Sequence, residues 1–226
     1  MKHSQNSAKQ NTQNPMKWVW EETAKTFQPP KRQLVSEWAD QNRYLTSSSS
    51  AEPGLFRTSR AAYQREIMDV IVDRKIETVV IMKSAQIGAT ELILNVLGYY
   101  ISQDPCPIMC LQPTIEMGRS FSKDRLAPML SSSPALQDKV KEPRSRDSEN
   151  TVLHKKFPGG HLTITGANSA SGLASRPIRI LLIDECDRYP ASAGSEGDPI
   201  ALATKRTTTF WNRKIIMAST PTIDGL

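Results

Sequence analysis

Short apolar runs recur along the chain at Thr78–Met82, Pro107–Leu111, His161–Thr165, Ile178–Ile183 and Lys214–Ala218. Each is too short for a stable helix and is bounded by Gly, Pro, Ser or charged residues, the pattern of buried strands. Other stretches carry apolar residues at helical spacing. Gln33 to Tyr44 places Leu34, Val35, Trp38 and Ala39 close together on a helix. Ala61 to Val72 places Tyr63, Ile67, Val70 and Ile71 on one face, and Glu91 to Gln103 does so with Leu92, Ile93, Val96, Leu97 and Tyr100. Thr114 is placed to cap a further helix containing Met117, Phe121, Leu126, Met129 and Leu130. Strands separated by helices predict an α/β fold with a mainly parallel central sheet and helices on both faces.

The flanks read differently. Residues 1–15 are polar and predict disorder. Met16 to Phe27 carries Trp18, Val19, Trp20 and Phe27, a short helix ended by Pro29-Pro30. Thr46 to Gly54 is a Ser-rich loop, and Lys139 to Lys156 is charged enough to predict a surface excursion. We expect a flexible tail over 1–30, a helical arm and linker over 31–60, and one domain over 61–226.

Composition narrows the class only slightly. A net charge of +6 suits a polyanionic partner without requiring one. The basic groups Lys139, Lys141, Arg144, Arg146, Lys155 and Lys156 read either as a track for phosphates or, better, as a solvated loop. Cys106, Cys110 and Cys186 are odd in number and lack a second ligand pair, so they predict reduced thiols in a cytosolic protein. No apolar run approaches the ~20 residues of a membrane span, and the first residues have no apolar signal core.

Chemistry concentrates at three strand ends. After Thr78–Met82 come Lys83, Ser84, Ala85, Gln86, Ile87, Gly88, Ala89 and Thr90, then a helix. A strand, a tight turn and a helix N-terminus form a phosphate cradle, because unpaired N–H groups and the helix dipole both favour an anion. Aligned with the nucleotide loop G-x-x-x-x-G-K-S/T, Gly88 and Thr90 match, while Lys83 takes the first glycine and Ala89 the lysine. Lys83 has a flexible stem that can reach the same β- and γ-phosphate oxygens from the front of the turn, and Ala89 leaves room. Upstream, Gln64 is a candidate for bonding an adenine edge and Tyr63 for stacking on it; an exposed helical Gln is the plainer alternative.

The run Ile178–Ile183 delivers Asp184-Glu185, carboxylates at the strand end where parallel α/β sheets bind ligands. With ATP as substrate, Asp184 and the Thr90 hydroxyl would hold Mg²⁺ and Glu185 would be the general base toward water. Ser219-Thr220-Pro221 closes the last strand beside them, where Ser219 and Thr220 can couple hydrolysis to the rest of the protein.

These motifs and the text between them resemble the large terminase subunit of tailed bacteriophages, in the lambda-like GpA family. The matching residues run from Val35-Ser36-Glu37-Trp38-Ala39 and Tyr63-Gln64-Arg65-Glu66-Ile67-Met68 through the loop at 83–91. They continue with Phe157-Pro158-Gly159-Gly160, Gly166-Ala167-Asn168-Ser169, Asp184-Glu185-Cys186-Asp187-Arg188-Tyr189, Glu196-Gly197-Asp198-Pro199 and Ser219-Thr220-Pro221-Thr222. The resemblance implies a P-loop NTPase core that tolerates a lysine at the head of the loop. It implies ATP-driven packaging of double-stranded DNA into a procapsid, in the host bacterial cytoplasm. A small terminase subunit and the portal protein are the implied partners, and a homo-oligomeric ring the implied assembly.

Two departures qualify it. Some members have an arginine where Gln86 stands; Arg176 and Arg179 are the substitutes, open to acting on a neighbouring subunit's ATP, with Arg176 expected to be catalytic. The family also carries a C-terminal metal-dependent nuclease, which would lie beyond Leu226, so a truncated chain without nuclease activity is expected. A helicase-like ATPase and an inactive remnant that only binds partners are the competing readings.

Overall fold

The computed structural model describes residues 33–47, 50–141, 150–174 and 176–221, with positions 16, 19, 20, 23 and 24 of the N-terminal region. Residues 1–15 therefore lie outside the described residues. Contacts divide the chain into residues 1–32 and 33–226. In the first unit the described positions within Met16–Phe27 have helical backbone, and Thr23 Oγ1 donates to the Val19 carbonyl at 2.7 Å.

The second unit is built on a six-stranded sheet. Its strands are β3 (Thr78–Met82), β4 (Pro107–Gln112), β5 (His154–Phe157), β6 (Gly160–Gly166), β7 (Ile180–Asp184) and β8 (Lys214–Ser219). A two-stranded antiparallel ribbon, β1 (Tyr44–Leu45) with β2 (Gly54–Leu55), precedes it. The order is β3-β8-β7-β4-β6-β5, parallel throughout except for the β5–β6 hairpin. Every apolar run expected to be a strand is one.

β5 was not expected, because Lys139 to Lys156 reads as a charged excursion. Its residues alternate in exposure: Lys155 and Phe157 are buried, while Lys156 is exposed. Lys155 hides its stem and donates its ammonium to the Thr151 carbonyl at 2.8 Å. It therefore cannot track phosphates. Residues 142–149, which include Arg144 and Arg146, lie outside the described residues.

The helices fall on both faces: α1 (Val35–Asn42), α2 (Tyr63–Val70), α3 (Ala89–Ser102), α4 (Ile115–Ser120), α5 (Ala127–Ser132), α6 (Pro134–Gln137), α7 (Ala170–Ala174) and α8 (Pro199–Thr204). Thr114 caps α4 by accepting from the Met117 N–H at 3.2 Å. Strand residues alternate between two cores. Ile180, Leu182, Ile216 and Ala218 join α1–α3, while Leu181, Ile183 and Ile215 join the side of α7 and α8. The cysteines are free, and burial pushes the Cys106 and Cys110 thiols up to about 12, which keeps them protonated.

Two helices differ from their expected faces. In α3 every residue from Leu92 to Ile101 is buried, so it is a central helix and not a one-sided one. In α2 the inward positions are Gln64 and Met68, continuing to Ile71, and Tyr63 is turned out.

The arm helix α1 is fastened to this core. Trp38 is fully buried, and a Cβ built on Gly98 of α3 would lie 2.1 Å from its ring. Ser36 donates through N and Oγ to both oxygens of Asp69 on α2, at 3.1 and 3.0 Å. Arg43, 2% exposed, pairs with Glu91 in the first turn of α3 at 2.7 Å. Gly98→Ala should therefore destabilise the fold. Alanine gains about 1 kcal/mol of helix propensity, but overpacking a rigid buried ring costs about 1–3 kcal/mol. Urea unfolding should show a net loss of up to about 2 kcal/mol.

Candidate nucleotide-hydrolysis site

The site forms at the carboxyl ends of β3, β8 and β7. The loop between β3 and α3 turns through positive φ at Gln86 (61°) and at Gly88 (79°), the residue preceding α3. A Cβ at 88 would also lie 2.7 Å from the Gln64 amide nitrogen, so the Gln64 side chain would have to shift. Ser84, Ala85 and Gln86 are exposed, Ala89 is buried and Thr90 half-buried. The loop is rooted on the neighbouring strand by Lys83 N–H donating to the Ser219 carbonyl at 3.0 Å.

Behind the loop, Tyr63 Oη and Gln64 Nε2 both donate to the Ile87 carbonyl, at 2.7 and 2.8 Å. Gln64 is 4% exposed, so its amide faces the back of the loop. The Gln64 Oε1 atom is buried and has no hydrogen-bond partner among the described residues. The exposed-Gln alternative is thus excluded. Tyr63 stays more than half exposed at 54%.

β8 lies between β3 and β7, and this order brings the three motifs together. Lys83 Nζ donates to Glu185 Oε1 at 2.7 Å and to Thr220 Oγ1 at 2.8 Å. The Lys83 side chain is 7% exposed and that of Glu185 21%. Glu185 has the left-handed backbone (φ 54°, ψ 46°), which is strained for a residue with a Cβ, and its N–H donates to the Ala218 carbonyl at 2.7 Å. Ser219 Oγ accepts from the Asp187 N–H at 3.0 Å.

Asp184 is buried, at 7% exposure, and accepts from Gln112 Nε2 at 3.3 Å. Burial pushes its carboxyl above the ordinary range, and the Glu185 charge adds to this; the Gln112 bond and Lys83 oppose it. A buried carboxylate with no salt-bridge partner among the described residues, and the half-buried Thr90 hydroxyl in the first turn of α3, are oxygen donors of the kind a hard divalent ion takes.

The expected catalytic arginine is not brought here. Arg176 is exposed and precedes β7, whose far end carries Asp184; the five residues of β7 span roughly 15 Å. Its charge instead acts on His154 and His161, lowering both imidazoles after the larger effect of burial. Arg179 is held by Asp104 through two bonds, at 2.9 and 2.5 Å, and lies over the Tyr100 ring. Sequence reasoning also passed over Gln112 and Arg188. The first is the polar residue closing an apolar strand, beside the acid strand. Arg188 lies 3.9 Å from Glu185 Oε2.

A mainly parallel sheet with a phosphate-type loop after one strand and an acid pair two strands away defines a P-loop nucleoside triphosphatase fold. The chain belongs to the family described as phage terminase large subunit gpA, ATPase domain, whose model matches residues 50–226. It is 28% identical over 190 residues to the terminase large subunit of Enterobacteria phage P21, covering 84% of this chain and 29% of that protein. It is 27% identical over 197 residues to the terminase large subunit of Escherichia phage lambda, covering 87% and 30%. The chain thus spans about three tenths of the length of these relatives. The crystal structure of the HK97 bacteriophage large terminase matches in fold, with a TM-score of 0.64 at 15% identity over 83% of this chain and 37% of that one.

The raised Asp184 carboxyl has a consequence for stability. Its cost is absent at low pH, where folded and unfolded states are both protonated, and grows as pH rises through the folded-state value. Asp184→Asn should therefore raise Tm by a few degrees at neutral pH, in the absence of divalent cation. The gain should vanish below the ordinary carboxylate range. Thermal unfolding across pH checks both.

Proposed function

We propose that the chain binds ATP with Mg²⁺ at residues 83–90 and hydrolyses it, supplying the motor step of double-stranded DNA packaging into a procapsid. The contact that carries this reading is Lys83 Nζ between Glu185 Oε1 and Thr220 Oγ1. Without nucleotide, the cation that would meet the phosphates is held by the residue that would act as base. Phosphate oxygens compete for that ammonium, and the loop N–H groups at the start of α3 add to the attraction. Once Lys83 turns to phosphate, Glu185 Oε1 is free to accept a proton from the attacking water. The same movement takes the ammonium away from Thr220, so occupancy of the loop is felt at the end of β8.

Asp184 and Thr90 would hold the metal, which supplies charge neutralisation at the phosphates. Tyr63 is the exposed ring available to stack on adenine. Gln64 supports Ile87 from behind and would have to turn its amide outward to reach the base. Arg176, outside this chain's own site, could serve only the nucleotide of an adjoining subunit in a ring. The small terminase subunit, the portal protein and the host bacterial cytoplasm complete this reading, supported by family membership and by the relatives, which are terminase large subunits.

Two substitutions test it. Lys83→Ala should weaken ATP binding by about tenfold or more, the loss of one charge-assisted contact. Glu185→Gln should lower turnover at least ~100-fold, the scale of general-base catalysis. It should also bind ATP more tightly than wild type, since Lys83 is released. Fluorescent-nucleotide titration and phosphate release read the two effects; unchanged hydrolysis in Lys83→Ala would refute the role given to that lysine. Double-stranded DNA should raise the wild-type rate, and a rate indifferent to DNA would leave an ATPase without the packaging assignment.

A further inference from the structure

We propose that Arg188 is a positioning residue for Glu185, holding the carboxylate through Oε2 when Lys83 has left Oε1. This rests on the hydrolytic reading above. Lys83 lies 2.7 Å from Oε1 and Arg188 Nε lies 3.9 Å from Oε2, so each oxygen faces its own cation. The two cations differ in what else can claim them. Lys83 starts the phosphate loop and is the group a nucleotide would draw away. Arg188 lies outside that loop, three residues beyond Glu185.

Its backbone is fixed from both sides. The left-handed turn at Glu185 opens a short 3₁₀ segment, Cys186–Arg188, closed by Arg188 N–H to the Glu185 carbonyl at 3.0 Å. The residue before, Asp187, is tied to β8 through Ser219 Oγ at 3.0 Å. The residue after, Tyr189, is tied to β4 by its hydroxyl donating to the Leu111 carbonyl at 2.8 Å, and burial keeps that phenol protonated. A guanidinium on so constrained a turn returns to the same carboxylate with little loss of entropy.

The arginine has little structural work to do. Its side chain is 56% exposed, and exposed ion pairs add little to folding stability. Its contribution should appear in the orientation of the base. The guanidinium still faces Oε2 when Oε1 is engaged with water.

Steady-state ATP hydrolysis, equilibrium nucleotide binding and thermal unfolding of the full 226-residue chain test this in wild type, Arg188→Ala, Arg188→Lys and Glu185→Gln. Arg188→Ala should lose roughly tenfold in kcat, the cost of a misplaced catalytic group. Its KM for ATP, nucleotide affinity and Tm should stay at wild-type values. Arg188→Lys should recover most of the rate. A wild-type kcat in Arg188→Ala, beside an inactive Glu185→Gln, would overturn this proposal alone. A parallel fall in affinity and rate would also overturn it, making Arg188 a nucleotide ligand. A wild-type chain that binds ATP and does not hydrolyse it would overturn the hydrolytic reading and this one together.

Discussion

The Lys83 ammonium is shared between Glu185 Oε1 and Thr220 Oγ1, and the rest of the site depends on that sharing. It joins residues 102 and 137 positions apart, one from each of three strand ends. It also offsets a charge that would otherwise stand beside the raised carboxyl of Asp184. Strand order makes the contact possible. With β8 inserted between β3 and β7, the loop and the acid pair are two strand spacings apart, ~10 Å. A lysine at the head of the loop spans that gap with a glutamate reaching back. From position 89, inside the helix start, the same side chain would begin on the far side of the turn.

This end of the sheet is held by packing that never touches it. α3 carries the loop at its first residue and is buried along its whole middle, so it cannot tilt without disturbing both the sheet and the arm helix. Trp38 against Gly98 fixes it near its end, and the Arg43–Glu91 pair fixes its first turn. Removing one partner of a buried ion pair costs about 3–5 kcal/mol, because the other charge is left desolvated. The arm helix is therefore part of what keeps Thr90 and the loop in register with Asp184, although it contributes no side chain to the site.

The strands were legible because residues buried on both faces read as continuous apolar runs, as Ile178–Ile183 does. β5 was not, because a buried Lys155 looks identical to a solvated one until its partner carbonyl is known. Helix phase failed in α2 for a related reason: Gln64 and Met68 face inward, and a polar residue on an inward face carries no hydrophobic signal. Loop, acid pair and Ser219-Thr220 were each visible as motifs. Their meeting at one ammonium was not, since it follows from strand order and not from spacing. Arg188 escaped notice because its closeness to Glu185 depends on a left-handed turn that no residue type there announces. For Arg176, nearness in sequence to the acid strand says nothing about which end of that strand it occupies, and it lies at the end opposite Asp184.

Several unfavourable features of the described residues meet at this site. Gln86 and Glu185 are the non-glycine residues with positive φ, Asp184 is buried under a raised carboxyl, and Gln64 Oε1 is buried without a partner. Each costs on the order of 1–3 kcal/mol when isolated. Each belongs to the loop at 83–90 or the acid pair, or bonds directly to them. A fold selected only for stability would replace Asp184 with an amide and Glu185 with glycine. Their presence here is intelligible if a ligand supplies a cation for Asp184 and phosphate oxygens for Lys83. On that view the ion pair at Lys83 is what binding must break, and the strain around Asp184 is what binding relieves.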